Sequence, residues 1–97
     1  MAFVVQDTFK AKPGKAQALA DRFALGAPHL RGGGVLGHRI LIDHVADYWT
    51  VMIESTVEDL DAYFEFPDSE EFRAAMDGYM DLVDGGNRRI FRVTYQD

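Results

Sequence analysis

The sequence predicts a single α+β domain over residues 1–97, with the element order strand, helix, strand, strand, broken helix, strand. Three observations predict it. Alternating apolar residues mark the first and last segments, helical spacing marks two stretches between them, and two β-rich runs follow one another in the middle of the chain. With 97 residues, of which 47% are hydrophobic, the chain can fill one core.

The composition excludes several classes of function. The chain has no Cys, which rules out disulfide scaffolds, thiolate metal sites and cysteine nucleophiles. A net charge of -6 at pH 7 has the wrong sign for binding nucleic acid or an anionic membrane surface. No apolar run is long enough to cross a membrane, and the first residues lack the basic start of a signal peptide. We therefore expect a cytoplasmic protein.

A strand and a helix make up the first part of the chain. Residues Ala2–Lys10 are rich in β-forming residues and place Phe3, Val5 and Phe9 on one face. Apolar residues at i, i+3, i+4 spacing then predict an amphipathic helix over Pro13–Leu25.

The next two strands, Val35–Asp43 and Asp47–Glu54, are predicted to pair as a hairpin through a tight turn at 44–47. The expected cross-strand pairs on the helix-facing side are Ile42 with Trp49, Ile40 with Val51, and His38 with Ile53.

The opposite face of this hairpin keeps Leu41, Tyr48 and Met52. That is more apolar surface than a water-facing sheet usually shows. We therefore predict a homodimer formed through the open face of the sheet.

The second half of the chain contains a broken helix and a last strand. Ser55–Glu58 has the capping pattern of a helix start, and this short helix should end at Pro67. A third helix is predicted over Asp68–Val83, with Asp84–Asn87 ending it and Arg88–Tyr95 forming the last strand. This order is the ferredoxin-like arrangement, a four-stranded antiparallel sheet with helices on one face.

Three motifs carry a family resemblance: Phe9–Lys15 at the first strand-to-helix corner, Ile53–Ser55 leading to Leu60, and Pro67 with Phe72–Ala75. With them the chain resembles the dimeric α/β-barrel superfamily, in particular its antibiotic-biosynthesis-monooxygenase-like and NIPSNAP-like branches. The resemblance implies that two sheets pack face to face as a barrel. It also implies a pocket between sheet and helices for a small aromatic or polyketide-like molecule.

Members of such families include cofactor-independent oxygenases, isomerases, haem-degrading enzymes and proteins with no known reaction. The resemblance to the haem-degrading branch implies an Asn, a Trp and a His. The positions that look equivalent here are Asp7, Ile53 or Glu54, and Met76, so all three residues are replaced. Because the helix His is missing, we expect no haem. We expect no other cofactor either. Where the oxygenase branch often has a His, this chain has Tyr63.

Asp7 and His38 are the candidate catalytic residues. A carboxylate within an apolar strand must face a cavity or pair with an Arg, such as Arg39 or Arg92. In the cavity, Asp7 could accept a proton from a phenol or an enolisable carbon. His38 is either an acid or base in the pocket or a histidine hydrogen-bonded at the margin of the sheet.

Four further residues are candidate ligand contacts. Arg39 would position an oxyanion, and aromatic rings would flank a flat ligand; these rings are Tyr48, Trp49 and Tyr63. The alternative is that the aromatic residues fill the core and the dimer interface.

Two motifs are given structural interpretations. Gly32–Gly37 satisfies the spacing GxGxxG but precedes a strand, whereas a dinucleotide site needs a helix there. His38 and His44 lie roughly 20 Å apart along a strand, too far to share a metal ion. The acidic turn Asp43–Asp47 has ordinary turn composition, so we expect no metal site.

Three functions remain open. The first is a small-molecule-binding or stress-associated protein without an assigned reaction. The second is a cofactor-independent monooxygenase or isomerase acting on a small aromatic or enolisable substrate. The third is a structural dimerisation module with a filled core. The first two differ in whether Asp7 faces a cavity or is saturated by an Arg.

Overall fold

A computed structural model describes residues 2–30, 32–44 and 49–97 of the chain. Its regular elements are β1 (Phe3–Ala11), α1 (Ala16–Gly26), β2 (Val35–Ile42), β3 (Thr50–Val57), α2 (Leu60–Glu65), α3 (Glu70–Ala75) and β4 (Val83–Arg92). The strands form one antiparallel sheet in the order β2-β3-β1-β4. This arrangement confirms the predicted ferredoxin-like α+β fold. Within the described ranges, no helix has the length and apolar character needed to cross a membrane.

The core forms where α1 lies on the sheet. The buried residues of α1 recur at helical spacing, and they are Ala16, Leu19, Ala20, Phe23 and Gly26. Leu19 is fully buried, as is Val51 of β3 beneath it in the same cluster. One helical stripe and one sheet face therefore supply most of this core.

The hairpin register differs from the prediction by two residues. Ile42 pairs with Val51, Ile40 pairs with Ile53, and His38 pairs with Ser55. A shift of two residues leaves every side chain on its predicted face, because side chains alternate with a period of two. Strand β2 ends at Ile42 and β3 begins at Thr50, and the predicted turn at 44–47 lies largely outside the described residues.

The predicted helix start at Ser55–Glu58 is wrong. Ser55 lies within β3, between Val5 of β1 and His38 of β2, so strand pairing takes its backbone. The residue that caps α2 is Asp59, whose carboxylate accepts a hydrogen bond from the backbone N–H of Ala62 at 3.1 Å.

The predicted third helix is broken. After α3 the chain turns at Gly78, with a φ of 79°, and continues as a 3-10 turn over Tyr79–Leu82. Apolar residues three apart suit either kind of helix, so their spacing did not reveal the break.

The last strand begins earlier than predicted. Strand β4 starts at Val83 and includes Asp84–Asn87, which the sequence suggested as a helix terminator. Pairing with β1 holds these residues extended, for example Gly85 opposite Lys10. The strand ends at Arg92, short of the predicted Tyr95.

Candidate functional site

A cavity of about 430 Å³ lies between the helix-facing side of the sheet and the helices. Its wall combines aromatic and aliphatic side chains with a small set of polar groups, the composition typical of a small-molecule site. The lining residues are Asp7, Phe9, Phe23, Leu30, Ile53, Ser55, Tyr63, Asp68, Phe72, Arg73, Met76, Tyr79 and Arg88.

Three rings in contact line part of this cavity. The centroid of Phe9 lies 5.0 Å from that of Phe23 and 6.5 Å from that of Tyr79. Phe23 and Tyr79 are 6.0 Å apart. Because Phe23 is buried and belongs to the core, the core holds this ring cluster in place.

Asp7 meets Arg88 across β1 and β4 on the cavity wall. The two residues are directly opposed in the sheet. The Nε of Arg88 donates to Oδ1 of Asp7 at 2.5 Å and its Nη2 donates to Oδ2 at 3.2 Å, a two-point contact. Asp7 thus both faces a cavity and pairs with an Arg. The partner differs from the predicted Arg39 or Arg92, because the register of β4 brings Arg88 opposite.

Arg88 also connects this ion pair to α2. Its guanidinium carbon lies 5.7 Å from the centroid of the Phe64 ring, within the range of a cation–π contact. The hydrogen bond to Asp7 raises the pKa of Arg88, so the residue stays charged. The cavity therefore has a fixed cation beside a fixed anion.

Tyr63 extends from α2 into the cavity. Burial raises the pKa of its hydroxyl above the usual 10.0, and the charge of Asp7 raises it further, while Arg88 and a hydrogen bond with Ser55 oppose them. The hydroxyl is thus neutral at physiological pH and can donate a hydrogen bond. The backbone carbonyl oxygen of Asp59, the residue that caps α2, accepts a hydrogen bond from the backbone N–H of Tyr63 at 3.0 Å.

Ser55 and His38 lie side by side on β3 and β2. Ser55 is 2% exposed, and its Oγ is 2.8 Å from Nδ1 of His38. The Nε2 of His38 is 3.0 Å from the carbonyl oxygen of Leu30, which follows α1. Because a carbonyl only accepts, Nε2 must carry a proton. His38 is therefore behind Ser55 and is not part of the cavity wall.

The other predicted ligand contacts lie elsewhere. Arg39 is on the open face of the sheet, where its Nη2 lies 2.6 Å from Oε1 of Glu54. Trp49 precedes β3, with its carbonyl accepting the N–H of Ala11 at 2.7 Å, and the described cavity wall does not include it. Tyr48 falls outside the described residues. Of the six predicted site residues, the structure brings Asp7 and Tyr63 together in the cavity wall.

The glycine-rich segment packs against α2. A Cβ atom on Gly33 would lie 2.7 Å from the carbonyl oxygen of Ala62 and 2.8 Å from Cα of Tyr63. The segment therefore positions Tyr63 and leads into strand β2 rather than into a helix. Among residues 2–30, 32–44 and 49–97, no group of three His, Asp or Glu side chains could hold a metal ion. The predicted acidic turn falls partly outside those ranges.

Sequence reasoning missed Arg88 and Ser55 as site residues. Ser55 has the same strand parity as Val51 and Ile53, so a strand extended to Val57 would have placed it on the helix-facing side. The sequence signal for Arg88 was the carboxylate of Asp7 within an apolar strand, because such a carboxylate needs a cation on a neighbouring strand.

Comparisons with known proteins agree with this architecture. The family model for antibiotic biosynthesis monooxygenases matches residues 2–78. No curated protein matches the chain.

Several solved structures share the fold. A NIPSNAP family protein from Agrobacterium tumefaciens is 18% identical, with a TM-score of 0.75 over 97% of this chain and 94% of that one. SnoaB, a cofactor-independent oxygenase from Streptomyces nogalater, is 17% identical, with a TM-score of 0.75 over 98% and 95% of the two chains. A protein from Pseudomonas aeruginosa is 22% identical, with a TM-score of 0.73 over 96% and 95%. At these identities the likeness shows the fold alone. The match of the family model confirms the predicted family resemblance.

Proposed function

Because the chain belongs to the antibiotic biosynthesis monooxygenase family, we propose that its cavity binds a small planar molecule with a phenol or enol hydroxyl group, and that the protein acts as a homodimer. The observation that carries the ligand proposal is the cavity of about 430 Å³, whose wall combines aromatic rings with the polar side chains of Asp7, Tyr63 and Arg88.

The shape of the ligand follows from the rings of the cavity. Phe9, Phe23 and Tyr79 present faces and edges at fixed angles, and Phe72 and Met76 line the helix side. Aromatic ligands stack on such surfaces with favourable geometry, and Met adapts to their outline. A flat ring system of one to three rings suits this space.

The polar side chains of the cavity wall favour a ligand with a hydroxyl group. Tyr63 offers a neutral donor, Arg88 a charged donor and Asp7 a charged acceptor. A phenol or enol can both donate and accept, so it can form further hydrogen bonds with this set, whereas a hydrocarbon would displace water from these groups and replace none of its hydrogen bonds.

A titration tests the ligand proposal. 2-Naphthol is expected to bind to the wild-type protein, and 2-methylnaphthalene, which has the same shape without the hydroxyl, at least tenfold more weakly. Ile53→Phe, which fills the cavity, should abolish binding, because Ile53 is in the wall. Leu25→Phe is the control, since Leu25 is 63% exposed on α1. Calorimetry decides: equal binding by Ile53→Phe and Leu25→Phe would contradict the proposal.

Cofactor-independent oxygenation or isomerisation is the second candidate function, and the position of Asp7 favours it. Its carboxylate faces the cavity, beside two donors that can stabilise an oxyanion, Tyr63 and Arg88. Asp7 would take a proton from an enolisable carbon, which leaves an enolate, and the enolate would react with oxygen or be reprotonated elsewhere. SnoaB, a cofactor-independent oxygenase, shares the fold.

The open face of the sheet supports the homodimer. Leu41 and Phe91 are 38% and 47% exposed on this face. Between them, Glu54 accepts hydrogen bonds from Arg39 and from Gln6, which ties three strands together. A second sheet packed here would cover the apolar side chains and keep the ion pair satisfied, as the family resemblance implies.

Light scattering tests the dimer. At micromolar concentration the protein is expected to have about twice the 10.9 kDa mass of one chain. Leu41→Glu should shift the mass towards one chain, because it places a charge in the apolar contact. Leu25→Glu, at a leucine of α1 that is 63% exposed, should leave the mass unchanged. A wild-type mass of one chain would remove the basis for the barrel.

A further inference from the structure

We propose that Ser55 and His38 act as a nucleophile and its base, with which the cavity hydrolyses carboxylic esters of a short acyl group and an aromatic alcohol. The hydroxyl of Ser55 is a nucleophilic group on the cavity wall that the functions proposed above do not use. The proposal rests on the proposed ligand class for the alcohol half of the ester, because a phenol is the product released. It adds a reaction at the wall of the same cavity.

The hydrogen bonds of His38 set the direction in which a proton can move. The carbonyl oxygen of Leu30 can only accept, so Nε2 of His38 donates to it at 3.0 Å. In the neutral ring the other nitrogen, Nδ1, is then an acceptor. The Oγ of Ser55 lies 2.8 Å from Nδ1 and donates its one hydroxyl proton to it. A serine is activated as a nucleophile by this kind of hydrogen bond to a base.

The sheet holds the pair in a fixed geometry. His38 of β2 and Ser55 of β3 are directly opposed in the register, on the helix-facing side. The carbonyl of Leu30 takes the place of the third group that orients the base in such sites. Because it is neutral, it fixes the ring but stabilises an imidazolium less than a carboxylate would. We therefore expect slower turnover than that of an enzyme with a complete triad.

The position of Ser55 limits what can react with it. Ser55 is 2% exposed and lines the cavity, so a substrate reaches its hydroxyl from the cavity. The close packing around it leaves room for a short acyl group, while the aromatic part of the wall suits the alcohol. Tyr63 and Arg73 line the same cavity and can donate hydrogen bonds to the oxyanion that forms during acyl transfer.

Each bond in the reaction is accounted for. The Oγ of Ser55 forms a bond to the carbonyl carbon of the ester, and its proton passes to Nδ1 of His38. The bond between that carbon and the phenol oxygen then breaks, and His38 returns the proton to the leaving phenolate. A water molecule attacks the acyl group on Ser55 in the same way and releases the carboxylic acid. One ester and one water become one acid and one phenol, without an oxidant or a reductant.

Covalent labelling of the wild-type protein tests the pair directly. Methanesulfonyl fluoride is small and reacts with activated serines, forming a sulfur–oxygen bond and releasing fluoride. The chain has two serines, and Ser69 is more exposed than Ser55. Ser69 caps α3, where its Oγ accepts the N–H of Phe72 at 3.1 Å, and it serves as the internal control. Peptide mass spectrometry should find the label on Ser55. Label on neither serine, or on Ser69 at an equal or higher rate, would overturn the proposal.

Two matched histidine variants test whether His38 is the base. His38→Gln keeps an N–H group for Leu30 but removes the base, so labelling of Ser55 should slow about 100-fold or more. His29→Gln makes the same change at an exposed histidine in the 3-10 turn after α1, and it should react at the wild-type rate. Equal rates in the two variants would show that His38 does not activate Ser55. If His38→Gln does not fold, the preference for Ser55 over Ser69 in the wild type decides.

Turnover of 2-naphthyl acetate tests the substrate class. The wild type should release fluorescent 2-naphthol faster than buffer alone, and it should carry an acetyl group on Ser55 after an acid quench. Ser55→Ala should release 2-naphthol at the rate of buffer. Release by the wild type at the rate of buffer would overturn the proposed hydrolysis.

The outcomes separate this proposal from the proposed function. Methanesulfonyl fluoride has no ring, so its reaction with Ser55 does not depend on the proposed ligand class. If calorimetry shows that 2-naphthol binds while Ser55 stays unlabelled, the nucleophile and its base are overturned and the ligand proposal stands. If Ser55 is labelled while 2-naphthol does not bind, the activated serine is confirmed and the aromatic alcohol is wrong.

Discussion

Gly33→Ala is expected to destabilise the protein by about 2–5 kcal/mol and to weaken 2-naphthol binding at least tenfold. Gly33 has a φ of 67°, where a side chain costs about 1–2 kcal/mol. The added methyl group would also lie 2.7 Å from the carbonyl oxygen of Ala62 and 2.8 Å from Cα of Tyr63. Both are backbone atoms, so relief requires a shift of α2, at about 1–3 kcal/mol. Such a shift would displace Tyr63 from the cavity wall.

Gly14→Ala is the matched control for this variant. Gly14 has a φ of 78°, and a Cβ atom there would have no atom within 4 Å. It therefore isolates the backbone cost, about 1–2 kcal/mol, from the contact with α2. Urea unfolding and calorimetry measure both variants. Equal losses of stability and unchanged 2-naphthol affinity would show that Gly33 does not position Tyr63.

Asp7→Asn is expected to lower turnover of an enolisable substrate by about 100-fold or more, the usual contribution of a general base. Dithranol, a planar phenolic ketone, is a suitable substrate for an oxygen-uptake assay. The fold should survive, because Asn keeps the size of Asp7 and one acceptor for Arg88. Unchanged turnover would exclude Asp7 as the proton acceptor from carbon.

Glu54→Gln is the control for the loss of a carboxylate on this sheet. Glu54 also pairs with an Arg across neighbouring strands, and its side chain is 15% exposed against 17% for Asp7. It lies on the open face, outside the cavity wall. Turnover by Glu54→Gln should match the wild type in samples whose mass light scattering shows to be unchanged.

The spacing of the hydrophobic residues predicted the fold, because each helix and strand buries one of its faces. The stripe of α1 and the parity of β1 and β3 were correct, so Leu19 and Val51 lie in the core as expected. Boundaries failed where tertiary pairing competed with local signals. Ser55 has a helix-capping pattern, yet two neighbouring strands take its backbone.

The candidate site was predictable only in part. Asp7 could be singled out because a carboxylate in an apolar strand needs a partner or a cavity. Its partner could not be identified, because β4 begins at Val83, five residues before the predicted strand. The pairing of this longer strand with β1 brings Arg88 opposite Asp7. The contact of His38 with Ser55 depends on a hairpin register shifted by two residues, and its connection carries no turn signal strong enough to fix that register.

The most direct test of the central claim locates 2-naphthol on the wild-type protein by intermolecular nuclear Overhauser effects. If the cavity between sheet and helices is the binding site, the ring protons of 2-naphthol will show contacts to Phe9, Phe72 and Met76 together. Contacts confined to Leu41 and Phe91 on the open face, or no saturable contacts at all, would contradict it.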